Sequence, residues 1–276
     1  MKLLSHALFV AACSPLLFSC GANSPKTEPP PEPLVAEAPP AQIRVVQPAM
    51  DPPTTPPSPA PADDGWREAF PNIRVNADTK SIQFDGIVPI DAHDQKAPWV
   101  FLEVVACTPD TKEHEALVMT KALPSHVHAA LLLIGLHPGA PGHWTIDDNN
   151  TLRSTPPHGG ELRVSLSFLT PDGTTRTLTP EEMIVNAHTG ARFPADRAGK
   201  WVFAGSRILS RNGRNLYDAD GAGTLIGLTT FGSETIAWSE VISPEAAVEE
   251  PAWIADARTT PPAGTPITVT ISAVDH

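Results

Sequence analysis

The segment from Cys107 to Leu136 concentrates side chains that can bind metal ions or take part in acid–base chemistry. It contains one cysteine, three histidines and several carboxylates. Thiolate, imidazole and carboxylate groups are the usual ligands of transition metals, and three or four of them must converge on one ion. The same groups can also act as nucleophile, base or acid. The segment therefore raises two hypotheses: a binding or catalytic site, or an ordinary hairpin that leads into a helix.

The residues of a binding site in this segment can be named. The candidate ligand-binding residues are Glu113, His114, Glu115, His126 and His128. The candidate metal ligands are His114, His126, His128 and Cys107. Residues two apart on a helix point roughly 200° apart, so His126 and His128 can face one ion only where the backbone is extended. This geometry counts against a site with all four ligands.

Structural roles account for the same residues without a ligand. Cys107 can be a small apolar residue at a strand end, and Glu113 and Glu115 can be solvated or accept backbone N–H groups. A Cys107–His114 nucleophile pair has no recognisable oxyanion site and no third orienting group. We therefore predict no catalytic residue and expect binding rather than turnover. The remaining alternatives are a cleft built on His114, Glu115 and one helix histidine, and a structural role.

Two strands, a turn and a helix are predicted around this segment. Trp99–Cys107 is rich in aromatic and β-branched residues, and Ala116–Lys121 reads as the returning strand of a hairpin. A helix is predicted to start at Leu123-Pro124-Ser125, where Ser125 can cap the free N–H groups, and to end near Gly135 and Pro138. A second, short helix is predicted from the capping sequence at Thr179 to about Asn186.

The rest of the chain between residues 66 and 276 is rich in predicted strands. They are Ser81–Ile90, Glu161–Leu169, Thr174–Leu178, Trp201–Ser206, Arg207–Ser210, Gly223–Phe231, Thr235–Trp238 and Ile267–Ser272. We predict one α+β domain, a mostly antiparallel β-sheet with one central helix and a second short helix. The alternative is two β-rich lobes that meet near residue 195. One tryptophan in each of several segments favours core packing.

The N-terminal residues have the pattern of an export signal. Lys2 precedes an apolar stretch that is too short and too interrupted for a membrane span. Leu17-Phe18-Ser19-Cys20 resembles the bacterial lipobox, which implies a lipoprotein signal peptide over residues 1–19 and lipidation of Cys20. Several acyl chains on one residue give stable membrane anchoring. The alternative is a plain secretory signal with an incidental cysteine.

A proline-rich segment separates the signal from the predicted domain. Residues 21–65 contain 14 of the 32 prolines and show no apolar periodicity. Such a sequence cannot bury enough apolar surface to fold, so residues 20–65 are predicted to be a disordered, extended linker. If Cys20 is acylated and Cys13 leaves with the signal, Cys107 is the only thiol left. In an oxidising compartment it is expected to be buried or held by a ligand.

Several stretches of the predicted domain carry a resemblance to a known family. They read FPNIRV, IQFDGIVP, the run from VFLEVVAC through TPDTKEHEALVMTKALPSHVHAALLLIGLHPG, WVFAGS and GTLIGLTTF. Together they resemble the YdjY-like domain of exported bacterial proteins, over roughly residues 70–275. The resemblance implies no particular activity. Some relatives are associated with ferredoxin-type iron–sulfur segments, which implies a redox-associated partner. This chain lacks closely spaced cysteines and cannot hold an iron–sulfur cluster itself.

The net charge and the predicted export signal together limit the possible classes of function. The net charge of −12 and the absence of a basic cluster exclude nucleic acid as a partner. We expect a lipid-anchored protein of the bacterial cell envelope, at the outer membrane and facing the periplasm. Its domain is expected to bind an envelope protein, a small ligand or a transition-metal ion. The alternatives are a metal-dependent, hydrolase-like enzyme that uses His114, Glu115 and His126, and a purely structural envelope component.

Overall fold

The two longest strands of the fold have alternating apolar and polar residues, so that one face of each strand is buried and the other is not. The computed structural model describes residues 64–94, 96, 98–195 and 197–274. Gly160–Leu169 turns Leu162, Val164 and Leu166 into the core. Pro266–Ala273 pairs with it antiparallel, with Val269 opposite Leu166. This alternation is what a sheet with one face on a core requires.

Seventeen strands and three short helices make up the described residues. The strands are β1 (Arg67–Phe70), β2 (Ile73–Asn76), β3 (Ser81–Ile87), β4 (Val104–Cys107), β5 (Ala116–Thr120), β6 (His143–Ile146), β7 (Leu152–Thr155), β8 (Gly160–Leu169), β9 (Thr175–Leu178), β10 (Ile184–Asn186), β11 (Trp201–Phe203), β12 (Ile208–Arg211), β13 (Arg214–Tyr217), β14 (Thr224–Gly227), β15 (Ile236–Trp238), β16 (Trp253–Ala255) and β17 (Pro266–Ala273). The helices are α1 (Pro124–Leu133), α2 (Pro180–Met183) and α3 (Asp218–Ala222), with a 3-10 helix at Glu113–Glu115.

Eight of the strands close into a barrel. Their order is β3-β17-β8-β11-β15-β14-β4-β5, and β5 pairs again with β3. β1 and β2 extend from β3, β9 pairs with β8, and β6–β7, β10–β16 and β12–β13 form three two-stranded sheets. Strands from before and after residue 195 share this one ring, with β17 between β3 and β8, so the two-lobe alternative is not the arrangement found.

The predicted α+β fold with a central helix is wrong. The protein is mostly β, and its longest helix, α1, has 10 residues. α1 buries Val127, Ala130 and Leu131 against the core, while Leu132 and Leu133 remain exposed. A helix that keeps part of its surface in solvent lies beside the sheet, not at its centre. The sequence showed the strands but not their closure into a ring.

Closure of the ring depends on a glycine in β3. Gly86 lies opposite Thr120 of β5, and a Cβ atom on Gly86 would lie 2.6 Å from the carbonyl oxygen of Met119 and 2.6 Å from a methyl group of Val118. Only a residue without a side chain lets the two strands approach this closely. Gly86 therefore lies where β3 and β5 meet and close the ring.

The predicted hairpin between Cys107 and Ala116 is also wrong. β4 and β5 are neighbours, but they are parallel, with Val104 opposite Ala116 and Ala106 opposite Val118. The chain between them turns back through the 3-10 helix and starts β5 beside the beginning of β4. Glu115 is thereby placed next to the start of β4 and not at the tip of a hairpin.

The helix ends were predicted with mixed success. Thr179 and Glu182 form the predicted capping box, which is confirmed, but α2 ends at Met183 and Ile184–Asn186 is a strand. Ser125 does not cap α1, because it lies within the helix. Its free backbone N–H donates instead to Asp220 Oδ1 of α3, over 2.8 Å.

The predicted signal peptide, Cys20 and nearly all of the predicted linker lie outside the described residues. Within the described residues, no helix combines the length and the apolar content that crossing a bilayer requires.

Candidate functional site

A cleft of about 450 Å³ opens where the chain enters β4. The extended segment before β4 is held against β16, because Leu102 N–H donates to the Trp253 carbonyl over 2.8 Å and Phe101 bridges to Ile254. The residues that line it include Trp99, Phe101, Glu103, His114, Glu115, Thr229, Glu249, Glu250 and Trp253. The cleft combines apolar walls with a few carboxylates, which is the usual composition of a small-molecule site.

Glu103 is fixed in the cleft through its backbone. Its N–H donates to the Glu115 carbonyl over 3.0 Å, and its carbonyl accepts from the N–H groups of Leu228 and Thr229. Its carboxylate lies 2.9 Å from Lys112 Nζ. With both backbone groups paired, the Glu103 side chain is held at a defined position on the cleft wall.

Glu115 lies beside Glu103 at the end of the 3-10 helix. Burial raises the pKa of the Glu115 carboxyl above its ordinary value, and a hydrogen bond with the Glu103 carboxyl and the charge on Glu103 raise it further. Lys112 and His114 act in the opposite direction. Glu115 therefore keeps its proton to a higher pH than an ordinary glutamate does.

The other two residues of the predicted turn have different environments. The His114 side chain is exposed at the cleft rim, with Nε2 3.9 Å from Glu115 Oε1. Glu113 Oε2 accepts the Thr111 backbone N–H over 2.9 Å, and backbone N–H groups lower the pKa of the Glu113 carboxyl. Glu113 thus stabilises the turn after β4, while His114 and Glu115 line the cleft.

His126 and His128 lie on α1 and contact different elements. The His126 ring stacks on Phe70 of β1 at a centroid distance of 5.4 Å. The His128 ring packs edge-to-face on Phe203, and its Nδ1 lies 3.0 Å from the Tyr217 hydroxyl. Burial lowers the pKa of His128, which keeps its imidazole neutral. Neither histidine is among the residues that line the cleft.

Cys107 is fully buried at the end of β4. It packs with Val104 and Ala116 in a small apolar cluster. Burial raises the pKa of the thiol to about 11, so the group stays protonated at neutral pH. Neither a nucleophile nor a metal ligand is expected from a buried neutral thiol.

The predicted metal ligands therefore do not come together. Among the residues that the structure describes, no group of three or more His, Cys, Asp or Glu side chains is arranged to hold a metal ion. Cys107 is in the core, His114 is at the cleft rim, and His126 and His128 pack against Phe70 and Phe203.

Sequence reasoning missed Glu103 and Trp99. Glu103 is the only charged residue in the apolar run Trp99–Cys107, and that isolated charge was a signal that could have identified it. The expectation that tryptophans serve the core holds for Trp201, Trp238 and Trp253, which pack with one another or around Phe193. Trp99 differs, because it is 57% exposed and lines the cleft.

Comparison with known protein families identifies a match for most of the described chain. A family model described as the YdjY domain matches residues 73–272. No curated protein and no solved structure matches the chain.

Proposed function

The chain belongs to the YdjY domain family, and we propose that this member binds a small ligand or an exposed side chain of a partner in the Trp99–Glu115 cleft, without turnover. The observation that carries the proposal is the convergence of the paired carboxyl groups of Glu103 and Glu115 with the exposed indole of Trp99 in one cleft. A large exposed aromatic side chain beside fixed polar groups is typical of a ligand-binding site. Without a ligand, these groups would be better solvated if they lay apart from one another.

The side chains that the sequence offered for catalysis occupy other environments in the fold. Cys107 is buried with a raised pKa, so it supplies no thiolate. The metal-dependent alternative required His114, Glu115 and His126 around one ion, and the described residues offer no such group. His126 instead stacks on Phe70 of β1.

The paired carboxyl groups support a second candidate function. A carboxyl group with a raised pKa beside a second carboxyl group is the arrangement that acid–base hydrolases use. Under this hypothesis Glu115 would protonate a leaving group and Glu103 would serve as base or electrostatic stabiliser. The two functions differ in outcome, because a hydrolase would convert a bound compound during prolonged incubation and a binding protein would release it unchanged.

The site would operate at the bacterial envelope under our proposal. A lipoprotein signal with acylation at Cys20 would hold the domain at the membrane through the proline-rich linker. The expected outer-membrane location facing the periplasm and the redox-associated partner stay predictions. Cys20→Ser should move the full-length protein from the membrane pellet to the soluble fraction of a cell lysate, and retention in the pellet would contradict the anchor.

A thermal-shift screen of metabolites against the full-length protein in detergent tests the cleft. We expect some compounds to raise the melting temperature of the wild type and of Ile146→Ala, a control at an exposed position of β6 outside the cleft. The same compounds should have no effect on Trp99→Ala. If no compound stabilises the wild type, or if stabilisation survives loss of Trp99, the proposal is wrong and a structural role becomes the better account.

A further inference from the structure

The chemical class of the ligand can be inferred from the walls of the cleft. This inference rests on the proposed function and makes it more specific. Trp99 and Phe101 both line the cleft, with ring planes at 86° to each other and centroids 6.4 Å apart. Two rings at right angles form a corner of aromatic surface. Such corners bind organic cations, because the face of an aromatic ring carries negative electrostatic potential.

The charge around this corner is negative. Four carboxylates line the cleft, those of Glu103, Glu115, Glu249 and Glu250. Two of them are compensated, Glu103 by Lys112 at 2.9 Å and Glu249 by Arg197 at 2.5 Å.

Glu115 and Glu250 are the two carboxylates that a ligand could compensate. In the described part of the chain, their ion-pair partners are imidazoles, which are charged only when protonated. The Glu250 carboxylate lies 3.8 Å from His188, and the His188 ring in turn packs edge-to-face on Trp99. An anion would be repelled from this cleft, and a cation would be attracted.

The protein already binds one alkylammonium group in this way next to the cleft. The Lys112 ammonium group lies 4.0 Å above the Phe231 ring centroid and 2.9 Å from a Glu103 carboxylate oxygen. An aromatic face and a carboxylate thus hold a cation together. The Trp99–Phe101 corner and the carboxylates of Glu115 and Glu250 offer the same combination of groups within the cleft.

We propose that the cleft binds an alkylated ammonium group, with a trimethylammonium head group against Trp99 and Phe101 and its charge near Glu115. A primary ammonium is strongly hydrated and loses more on entering an aromatic corner, whereas methyl groups around the nitrogen pack on the rings. The group could come from a free small molecule such as choline or from a phosphatidylcholine head group, since both present the same chemistry.

Titration of the full-length protein in detergent with choline tests the charge requirement. The matched control is 3,3-dimethylbutan-1-ol, which has the same shape with carbon in place of the charged nitrogen. We expect choline to bind at least about tenfold more tightly than the alcohol by calorimetry, since cation–π and carboxylate interactions of a partly desolvated cation reach that size. Trp99→Ala should reduce choline binding at least about tenfold, and Ile146→Ala should not change it.

A second arm of the experiment distinguishes the two sources of the ligand. Protein with Cys20→Ser, which removes the proposed anchor, is mixed with phosphatidylcholine or phosphatidylglycerol vesicles and sedimented. Sedimentation with phosphatidylcholine vesicles but not with phosphatidylglycerol vesicles supports the proposal, provided that Trp99→Ala abolishes it. The lipid head group is then the source of the trimethylammonium group. Choline binding without vesicle binding supports it with a free molecule as source.

The outcomes that overturn this inference differ from those that overturn the proposed function. Equal binding of choline and the neutral alcohol, both lost in Trp99→Ala, would leave a ligand-binding cleft and refute a cation site. Absence of binding to choline and to both vesicle types would likewise refute the cation site. Circular dichroism of each variant establishes that a loss of binding is not a loss of the fold.

Discussion

The Glu103 backbone N–H donates to the Glu115 carbonyl over 3.0 Å, and the two side chains line the wall of one cleft. The Glu103 carboxyl group raises the pKa of Glu115, in addition to the larger effect of burial. The Lys112 ammonium group offsets part of the negative charge, because it lies 2.9 Å from a Glu103 carboxylate oxygen.

Glu115→Gln should stabilise the protein at neutral pH. A carboxyl whose pKa is raised by folding is bound to its proton more tightly in the folded state, so its ionisation above that pKa disfavours folding. The amide carries no charge and can donate to Glu103. We expect a gain of about 0.5–1 kcal/mol at pH 7.5, reduced for solvent screening because the side chain is partly exposed. The gain should shrink as the pH falls toward 4.5 and both states become protonated. Urea unfolding between pH 4.5 and 8 measures it.

Glu113→Gln provides the control with the opposite sign. The pKa of Glu113 is lowered by backbone N–H groups, so its charged form favours folding above the ordinary carboxyl pKa, and this contribution is lost as the pH falls. The substitution should therefore destabilise the protein at pH 7.5. Equal effects of the two substitutions would refute the distinct environments described for these neighbouring residues.

Asp220→Ala should destabilise α1. Its carboxylate accepts the Ser125 N–H over 2.8 Å and takes the place of a local cap at that position. Loss of a capping acceptor costs about 1 kcal/mol. Asp220→Asn keeps an oxygen that can accept the same N–H, so it should lose less of the unfolding free energy in urea. If alanine and asparagine have the same effect, the contact between α3 and α1 does not depend on this hydrogen bond.

The sequence predicted local elements better than their pairing. The strand positions follow from alternation, and the Thr179–Glu182 capping box is a contact between residues three apart, so both can be predicted from a short window. Closure of the ring joins Gly86 to Thr120 and β17 to both β3 and β8. Such pairings depend on residues far apart in sequence, and no local pattern specifies them. The central helix was predicted wrongly for this reason.

The candidate site shows the same division between local and distant information. The sequence identified His114 and Glu115, because charged and titratable residues are dense in that turn. It did not identify Trp99 or Trp253 as their neighbours, because β16 and the segment before β4 meet only in the fold. The sequence indicated that His126 and His128 would diverge if they lay on a helix, but it could not identify Phe70 and Phe203 as the rings that they contact.

Gly86→Ala should weaken the closure of the ring. The added methyl group would lie 2.6 Å from the Met119 carbonyl oxygen, which cannot move without disturbing the pairing of β3 with β5. Overpacking of this kind costs about 1–3 kcal/mol. Gly221→Ala is the matched control, because no atom lies within 4 Å of its Cβ position and it sits in α3. Thermal unfolding should separate the two variants, and a wild-type melting temperature for Gly86→Ala would contradict the described strand contact.

Tyr217→Phe and His126→Phe should have different effects on the free energy of unfolding. Both residues have rings that pack against another aromatic ring. The Tyr217 hydroxyl lies 3.0 Å from His128 Nδ1 and 3.0 Å from Thr235 Oγ1. Tyr217→Phe removes both hydrogen bonds from a part-buried site. The free energy of unfolding should therefore fall by about 1–3 kcal/mol. Among the described residues, no hydrogen-bond partner lies at the buried His126 Nδ1, and the ring stacks on Phe70. Phenylalanine preserves the stacking and removes the unpaired nitrogen, so the unfolding free energy should change by less than about 1 kcal/mol. A large loss of stability in His126→Phe would show that Nδ1 has a partner, and it would reopen the case for a ligand at this histidine.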